Sequence, residues 1–235
     1  MRISTDYKFI FFSNPKTGSE SVRKLLNPYS DVMDKRSDEK SPFTSHMPPK
    51  QVKSLFKEKG WDYDSFYKFV FVRNPWDKMV SLYEMKYSGK PTKVLVSGTM
   101  EHKIKDRLKK FKQRYFDKKP SFKEWIHSIE QISEHEKNNI KSEWFKYGID
   151  PLNKYICDDE GNILVDQVIR LEDIDRELIP TLTKLKIPNA ESLVIEEINK
   201  RKHKKYTEYY DSDSISIVEK LFQYDIKEYK YEFGS

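Results

Sequence analysis

The sequence predicts a three-layer α/β fold with a central parallel sheet flanked by helices. Two short, almost continuous apolar runs, "YKFIFFS" (7–13) and "FYKFVFV" (66–72), have the composition of strands buried on both faces. Each run is followed by an Asn-Pro turn and then by apolar residues at helical spacing. Because strands that alternate with helices are typical of parallel sheets, this order predicts the fold class.

Composition limits the class of protein further. The chain has 235 residues, 37% of them hydrophobic, a formal net charge of +6 and a single cysteine, Cys157. One cysteine excludes an intramolecular disulfide and a thiolate metal cluster, and is typical of a reducing compartment. The first residues do not have the pattern of a signal peptide, and no apolar run approaches the ~18 residues of a membrane span. We therefore expect a cytoplasmic protein, folded as a single domain over residues 1–235.

The first strand leads into a helix that begins at Ser19, since Val22, Leu25 and Leu26 fall at helical spacing. Asn27-Pro28 predicts the end of this helix. Residues 30–50 are polar and rich in proline, so we expect a long loop with at most short helical pieces.

The second strand leads into a helix in which Asn74 can be the cap and Pro75 the first helical residue. One face of this helix is apolar and aromatic: Trp76, Met79, Val80, Tyr83 and Tyr87. Residues 88–119 are rich in Lys and Arg and lack apolar periodicity, which predicts a surface region or lid.

Further elements are predicted along the second half of the chain. Helices are expected around 122–129 and 144–145, and "NILVDQVIRLEDI" (162–174) predicts a later strand and the start of a helix that continues through 185. A last amphipathic helix is expected over 215–222. No linker or change of composition divides the chain.

The turn after the first strand has the features of an anion site. A turn between a buried strand and a helix offers backbone N–H groups and the positive end of the helix dipole. Gly18 allows close approach of the backbone, hydroxyl donors are available, and Lys16 adds a positive charge; the hydroxyl-bearing residues are Thr17, Ser19 and Ser21. The Walker A pattern is absent, because the lysine precedes the glycine. An ordinary capped turn is the alternative.

Arg73 follows directly on the second strand, and Ser81 lies two turns into the next helix. The carboxyl ends of parallel strands meet at one edge of a sheet, so we expect Arg73 and the turn at 14–21 to share a site. A guanidinium suits a terminal phosphate because it can donate two charge-assisted hydrogen bonds. Alternatively, Arg73 pairs with Asp77 and only stabilises the helix.

Both turns together resemble a known family, the sulfotransferases that use 3′-phosphoadenosine 5′-phosphosulfate (PAPS). "PKTGSES" is similar to the family's 5′-phosphosulfate loop, and "FVFVRNPWDKMVSLY" is similar to its 3′-phosphate motif. "TSHMP", "RLEDI" and the tail "HKKYTEYYDSDSISIVEKLFQYDIKEYKYEF" resemble the carbohydrate sulfotransferase branch. The resemblance implies a P-loop-like fold, PAPS as donor, 3′-phosphoadenosine 5′-phosphate (PAP) as product, and a hydroxyl-bearing small-molecule or glycan acceptor.

The resemblance also implies roles for individual residues. Lys16 would contact the phosphosulfate bridge. The loop that would surround the 5′-phosphate consists of Thr17, Gly18, Ser19, Glu20 and Ser21. Arg73 and Ser81 would bind the 3′-phosphate. A basic loop late in the chain, with Arg201, Lys202 and His203, would close over the same phosphate. Two features depart from the family pattern. Glu20 is acidic where a small polar residue is frequent, so its carboxylate should point away from the anion or interact favourably with the helix dipole at the first turn. The late loop lacks a glycine.

Transfer to a hydroxyl requires charge neutralisation on the leaving phosphate and a base for the hydroxyl proton. Lys16 is the candidate for the first role and His46, in the "SHMP" context, for the second. Glu20 and Glu84 are alternative bases, whereas the surroundings of the remaining histidines predict structural positions: His102, His127 and His135. No metal site is expected.

Two other classes of protein stay open. A phosphotransferase of related topology would need Mg²⁺; Asp166 and Asp173 are available carboxylates, but both have simple helix-cap or loop explanations. A nucleic-acid-binding protein would explain the basic run "KIKDRLKKFKQR" (103–114), although such runs are more often solvated surfaces and no nucleic-acid module is present. We favour the sulfotransferase, with no nucleic-acid or membrane partner. The sequence leaves the acceptor and the oligomeric state open.

Overall fold

The computed structural model describes residues 1–35, 37–87, 119–195 and 204–235. Within these ranges the chain forms a five-stranded sheet in the order β3-β1-β2-β4-β5. Its strands are β1 (Arg2–Ser4), β2 (Phe9–Phe12), β3 (Val32–Met33), β4 (Tyr67–Val72) and β5 (Gln167–Arg170). Helices cover both faces, so the predicted α/β fold is confirmed.

The three strands β2, β4 and β5 are parallel to one another, as predicted. Phe12 of β2 pairs with Val70 of β4, and Val72 of β4 pairs with Arg170 of β5. These pairs place the ends of all three strands at one edge of the sheet. The residues that follow β2, β4 and β5 are therefore neighbours in space although they are far apart in sequence.

The other two strands were not predicted. β1 pairs antiparallel with β2, and β3 pairs antiparallel with β1. Strands of three and two residues are too short to show a periodic pattern. They extend the parallel centre of the sheet on the side of β2.

The described helices are α1 (Ser19–Leu26), α2 (Pro49–Glu58), α3 (Pro75–Tyr87), α4 (Phe122–Glu130), α5 (Glu134–Asn138), α6 (Glu143–Lys146), α7 (Asn153–Ile156), α8 (Ile174–Lys184), α9 (Ser212–Leu221) and α10 (Gln223–Tyr229). Short 3₁₀ turns occur at Asn27–Tyr29, Tyr63–Ser65, Leu171–Asp173, Ala190–Ser192 and Tyr206–Tyr209. None of these described helices has the length and apolar character needed to cross a bilayer.

Alternate side chains of the central strands enter two separate hydrophobic clusters. Phe9, Phe11, Phe69 and Phe71 pack with α1 and α8, whereas Ile10, Phe12, Val70 and Val72 pack with α2, α3, α4 and α9. Every one of these eight side chains is at most 1% exposed. The period-two burial explains why the strand sequences are continuously apolar.

The segment 30–50 differs from the expected loop, because it contains β3 and ends where α2 begins at Pro49. Its burial also differs from that of a solvated loop, since Phe43 is 1% exposed. Most of the predicted basic surface region, 88–118, lies outside the described residues, as does His102.

Candidate active site

The turn between β2 and α1 is closed by hydrogen bonds among its own residues. The carbonyl of Asn14 accepts from the hydroxyls of Thr17 (2.9 Å) and Ser19 (2.8 Å). The Asn14 amide donates to the Phe71 carbonyl of β4 at 3.3 Å. Two of the three hydroxyls expected to face an anion, those of Thr17 and Ser19, therefore shape the turn in this structure instead.

Gly18 is the N-cap of α1 and has φ 71°, a left-handed conformation that glycine adopts without strain. A Cβ atom at this position would lie 2.7 Å from Cδ1 of Leu171, which follows β5. The glycine therefore serves two purposes. It turns the backbone into the helix, and it lets the segment after β5 pack directly on the turn.

Lys16 has φ 67°, although it is not a glycine. A left-handed lysine costs about 1 kcal/mol, and such strain is often found at functional sites. Its Nζ lies 3.5 Å from Sδ of Met85, on α3. The ammonium group is thus directed from the turn toward α3.

Arg73 makes both of the contacts that the sequence predicts, one with Asp77 and one with the turn at 14–21. Its Nε and Nη2 donate to Oδ2 of Asp77 at 2.9 and 2.6 Å, and its Nη1 donates to the carbonyl of Lys16 at 3.0 Å. The pairing with Asp77 and the contact with the turn therefore coexist. A guanidinium has five N–H donors, and these bonds use three of them. Ser81 lies two turns along the same helix and is half-buried.

His46 lies beside the end of β2, where its Nδ1 is 2.7 Å from the carbonyl oxygen of Ser13. A carbonyl can only accept, so Nδ1 donates, and Nε2 is the nitrogen that holds the lone pair whenever the imidazole is neutral. The loop that carries His46 is attached to α6, because the Thr44 hydroxyl donates to the Glu143 carboxylate at 2.6–2.8 Å. The structure thus places His46 and the turn at the same end of β2.

The alternative bases have other partners. The Glu20 carboxylate pairs with Arg23 one turn along α1, at 2.5 Å. Glu84 accepts from the Tyr209 hydroxyl at 3.2 Å and lies 3.7 Å from Nζ of Lys119. His127 and His135 are exposed on α4 and α5. Arg201, Lys202 and His203 lie outside the described residues.

The segment after β5 has a part in this site that its sequence does not indicate. "RLEDI" resembles a family motif, but the resemblance assigns no role to Leu171 or Glu172. Besides the contact of Leu171 with Gly18, Glu172 Oε1 accepts from the backbone N–H of Asn74 at 2.8 Å. Arg170 ends β5 next to Val72. The segment therefore touches both predicted phosphate-binding turns.

A cavity of about 350 Å³ lies at the opposite ends of the strands, lined by Thr5, Lys8, Gly60, Trp61, Asp62, Ser65 and Phe66. Its residues precede β2 and β4, whereas the predicted site follows these strands. Among the described residues there is no cluster of three or more His, Cys, Asp or Glu side chains that could hold a metal. Asp166 instead pairs with Lys68 at 3.1 Å, and Asp173 pairs with Arg176 at 3.2 Å.

A family model described as the sulfotransferase family matches residues 1–232, nearly the whole chain. The chain therefore belongs to the sulfotransferase family, and the protein is a transferase of sulfuryl groups. Searches of curated proteins and of solved structures found no significant match.

Proposed function

We propose that the protein transfers a sulfuryl group from PAPS to a hydroxyl of an acceptor, which is a carbohydrate or another hydroxyl-bearing small molecule. The observation that supports the donor is the contact of Arg73 Nη1 with the Lys16 carbonyl at 3.0 Å. This contact joins the two turns that resemble the 5′- and 3′-phosphate motifs. A nucleotide with phosphates at both positions matches two cationic turns at one edge of a sheet.

The residues present fit such a donor by their chemistry. Backbone N–H groups at the start of α1, together with the Lys16 ammonium, suit a phosphosulfate, and the remaining N–H donors of Arg73 suit a terminal phosphate. Ser81, Arg201, Lys202 and His203 complete the proposed 3′-phosphate contacts, while Thr17, Gly18, Ser19, Glu20 and Ser21 form the 5′ loop. When bound, PAPS supplies the sulfuryl group, and PAP is the product.

His46 and Lys16 carry the proposed chemistry. With Nδ1 donating to Ser13, His46 accepts the proton of the acceptor hydroxyl at Nε2. The carbonyl also stabilises the imidazolium that this transfer creates, since it accepts a stronger bond from a charged donor. Lys16 places a positive charge where negative charge develops on the leaving phosphate. No metal takes part in this proposal, and Cys157 as the single cysteine supports a cytoplasmic location.

Ligand binding distinguishes this proposal from a phosphotransferase. A ligand that binds the native state raises the melting temperature, with about 2.7 kcal/mol of added stability at a hundredfold excess over Kd. We expect PAP to raise the melting temperature and ATP with Mg²⁺ to have little effect. Stabilisation by ATP–Mg²⁺ but not by PAP would show that PAPS is not the donor.

His46→Ala separates catalysis from donor binding. We expect the variant to bind PAP as the wild type does but to lose transfer by about 10²- to 10⁴-fold, the usual contribution of a general base. Isothermal calorimetry with PAP and a sulfuryl-transfer assay measure the two effects. His127→Ala, at an exposed position on α4, is the matched control. Full activity of His46→Ala would place the base elsewhere.

A further inference from the structure

The segment after β5 connects the two donor turns. Leu171 packs on Gly18, so it meets the turn after β2. Glu172, the next residue, accepts at Oε1 from the backbone N–H of Asn74, which directly follows Arg73. Two consecutive residues after β5 are therefore in contact with the residues that directly precede α1 and α3.

The second oxygen of the same carboxylate binds the C-terminal tail. Oε2 of Glu172 accepts from the Tyr231 hydroxyl at 2.9 Å. Tyr231 is 3% exposed, and the Arg170 guanidinium lies 4.6 Å from the centre of its ring. Burial and the neighbouring Glu172 raise the pKa of Tyr231, so its hydroxyl stays protonated and is the donor in this bond.

The C-terminal tail also forms hydrogen bonds with the side chain of Asn74. The Asn74 side-chain amide donates to the Glu232 carbonyl and to the Tyr206 hydroxyl, both at 3.4 Å. Phe233 meets the ring of Trp76 edge to face with the centroids 5.7 Å apart. Asn74 is thus bonded through its main-chain N–H to Glu172 and through its side chain to the tail.

A carboxylate close to a phosphate-binding site repels the anionic ligand, so its presence at this place calls for another explanation. Both oxygens of Glu172 accept hydrogen bonds, one from Asn74 and one from Tyr231. We propose that Glu172 is a positioning residue of the donor site: its carboxylate joins the residue after Arg73 to Tyr231 and so sets where the Arg73 guanidinium lies. This inference rests on the proposed function, because it assigns Arg73 to the 3′-phosphate.

The test compares two nucleotides that differ in the 3′-phosphate. Calorimetry measures the affinity of PAP and of adenosine 5′-phosphate for wild type and Glu172→Ala. We expect the variant to lose about tenfold in PAP affinity, the effect of one lost charge-assisted hydrogen bond, and to bind adenosine 5′-phosphate within about twofold. Glu172→Gln keeps a carbonyl acceptor for Asn74 and should recover most of the PAP affinity. Asp175→Asn, at an exposed position on the first turn of α8, is the control.

A purely structural role would lower the melting temperature and leave the ratio of the two affinities unchanged, which would overturn the inference. If Glu172→Ala does not fold, Tyr231→Phe removes a single hydroxyl from the same pair. It is then expected to reduce PAP affinity about threefold, with adenosine 5′-phosphate unaffected, and an unchanged ratio would again overturn the inference. Failure of the wild type to bind PAP at all would instead contradict the proposed function.

Discussion

Lys16 combines an unfavourable backbone conformation with the charge that the proposed reaction needs. Its φ of 67° and its ammonium group, 3.5 Å from Met85, are both consequences of the turn that leads into α1. A glycine would adopt this conformation without cost, but it would carry no charge. On the proposed mechanism, the strained lysine is retained because a glycine would lack the positive charge that the reaction uses.

Replacement of Lys16 by glycine and by alanine separates these two properties. We expect Lys16→Gly to raise the free energy of unfolding by up to about 1 kcal/mol relative to Lys16→Ala, because only glycine relieves the left-handed strain. Both variants should lose sulfuryl transfer to a similar extent, since both remove the ammonium group. Urea denaturation and a transfer assay measure these effects; equal stability of the two variants would contradict the strain argument.

The loop between β3 and α2 determines where His46 lies. It is bonded to the end of β2 through the Ser13 carbonyl and to α6 through Thr44 and Glu143. Phe43, which is 1% exposed, packs edge to face on Phe56 of α2, with the centroids 6.2 Å apart. The loop is therefore positioned by tertiary contacts with three elements, in addition to hydrogen bonds within its own backbone such as that from the Lys35 N–H to the Phe43 carbonyl at 2.6 Å.

Thr44→Val removes the hydroxyl that joins this loop to α6 while keeping the shape of the side chain. We expect a loss of about 1–3 kcal/mol in stability, because the partly buried Glu143 carboxylate loses its donor, and a lower kcat with unchanged PAP affinity. Thr183→Val is the matched control, since the Thr183 hydroxyl donates to the Ile179 carbonyl of its own helix. A kcat equal to that of the control would show that Thr44 does not position His46.

Among the residues that the structure describes, the two hydrophobic clusters lie on opposite faces of one sheet. The larger cluster also encloses two ionisable side chains, those of Lys78 and Asp225. Lys78 of α3 is 1% exposed, and its Nζ donates to the carbonyl of Asp150 at 3.0 Å. Asp225 of α10 is also 1% exposed and accepts from the backbone N–H of Leu152 at 2.7 Å. Burial lowers the pKa of Lys78 to about 8.

Asp225 should make stability depend on pH. Burial raises its pKa from 3.8 to about 6, although Lys78 and the N–H of Leu152 act in the opposite direction. Between these pH values the folded state binds more protons than the unfolded chain, so this group's contribution to the free energy of unfolding falls as pH rises. A shift of about two pKa units corresponds to roughly 3 kcal/mol.

Asp225→Asn removes this titration and keeps an oxygen that can accept from Leu152. We expect the free energy of unfolding of the variant, relative to that of the wild type, to rise by up to about 3 kcal/mol from pH 4 to pH 6, as measured by urea denaturation across this range. Asp6→Asn, an exposed position between β1 and β2, should retain the slope of the wild type. Identical slopes for wild type and Asp225→Asn would show that the carboxyl does not titrate in this range.

Local patterns were sufficient to predict much of this molecule. Continuous apolar runs marked β2 and β4, and Asn74 caps α3 by accepting from the N–H groups of Trp76 and Asp77. These features depend on residues within a few positions of one another, and the same holds for the turn with Gly18. The short β1 and β3 were not predicted, because a strand of two or three residues has no periodicity of its own.

The partners of individual side chains depend on contacts between distant parts of the chain. The class of protein and the roles of the candidate residues Lys16, Arg73 and His46 followed from short motifs that resemble those of the sulfotransferases, and each such motif lies within a few neighbouring residues. The position of Glu172 in the site could not be predicted from neighbouring residues, because its partners Asn74 and Tyr231 are 98 and 59 positions away in the sequence. Only packing of the sheet, α3 and the C-terminal tail brings these groups together, and hydrogen bonds form between whichever donors and acceptors that packing makes neighbours.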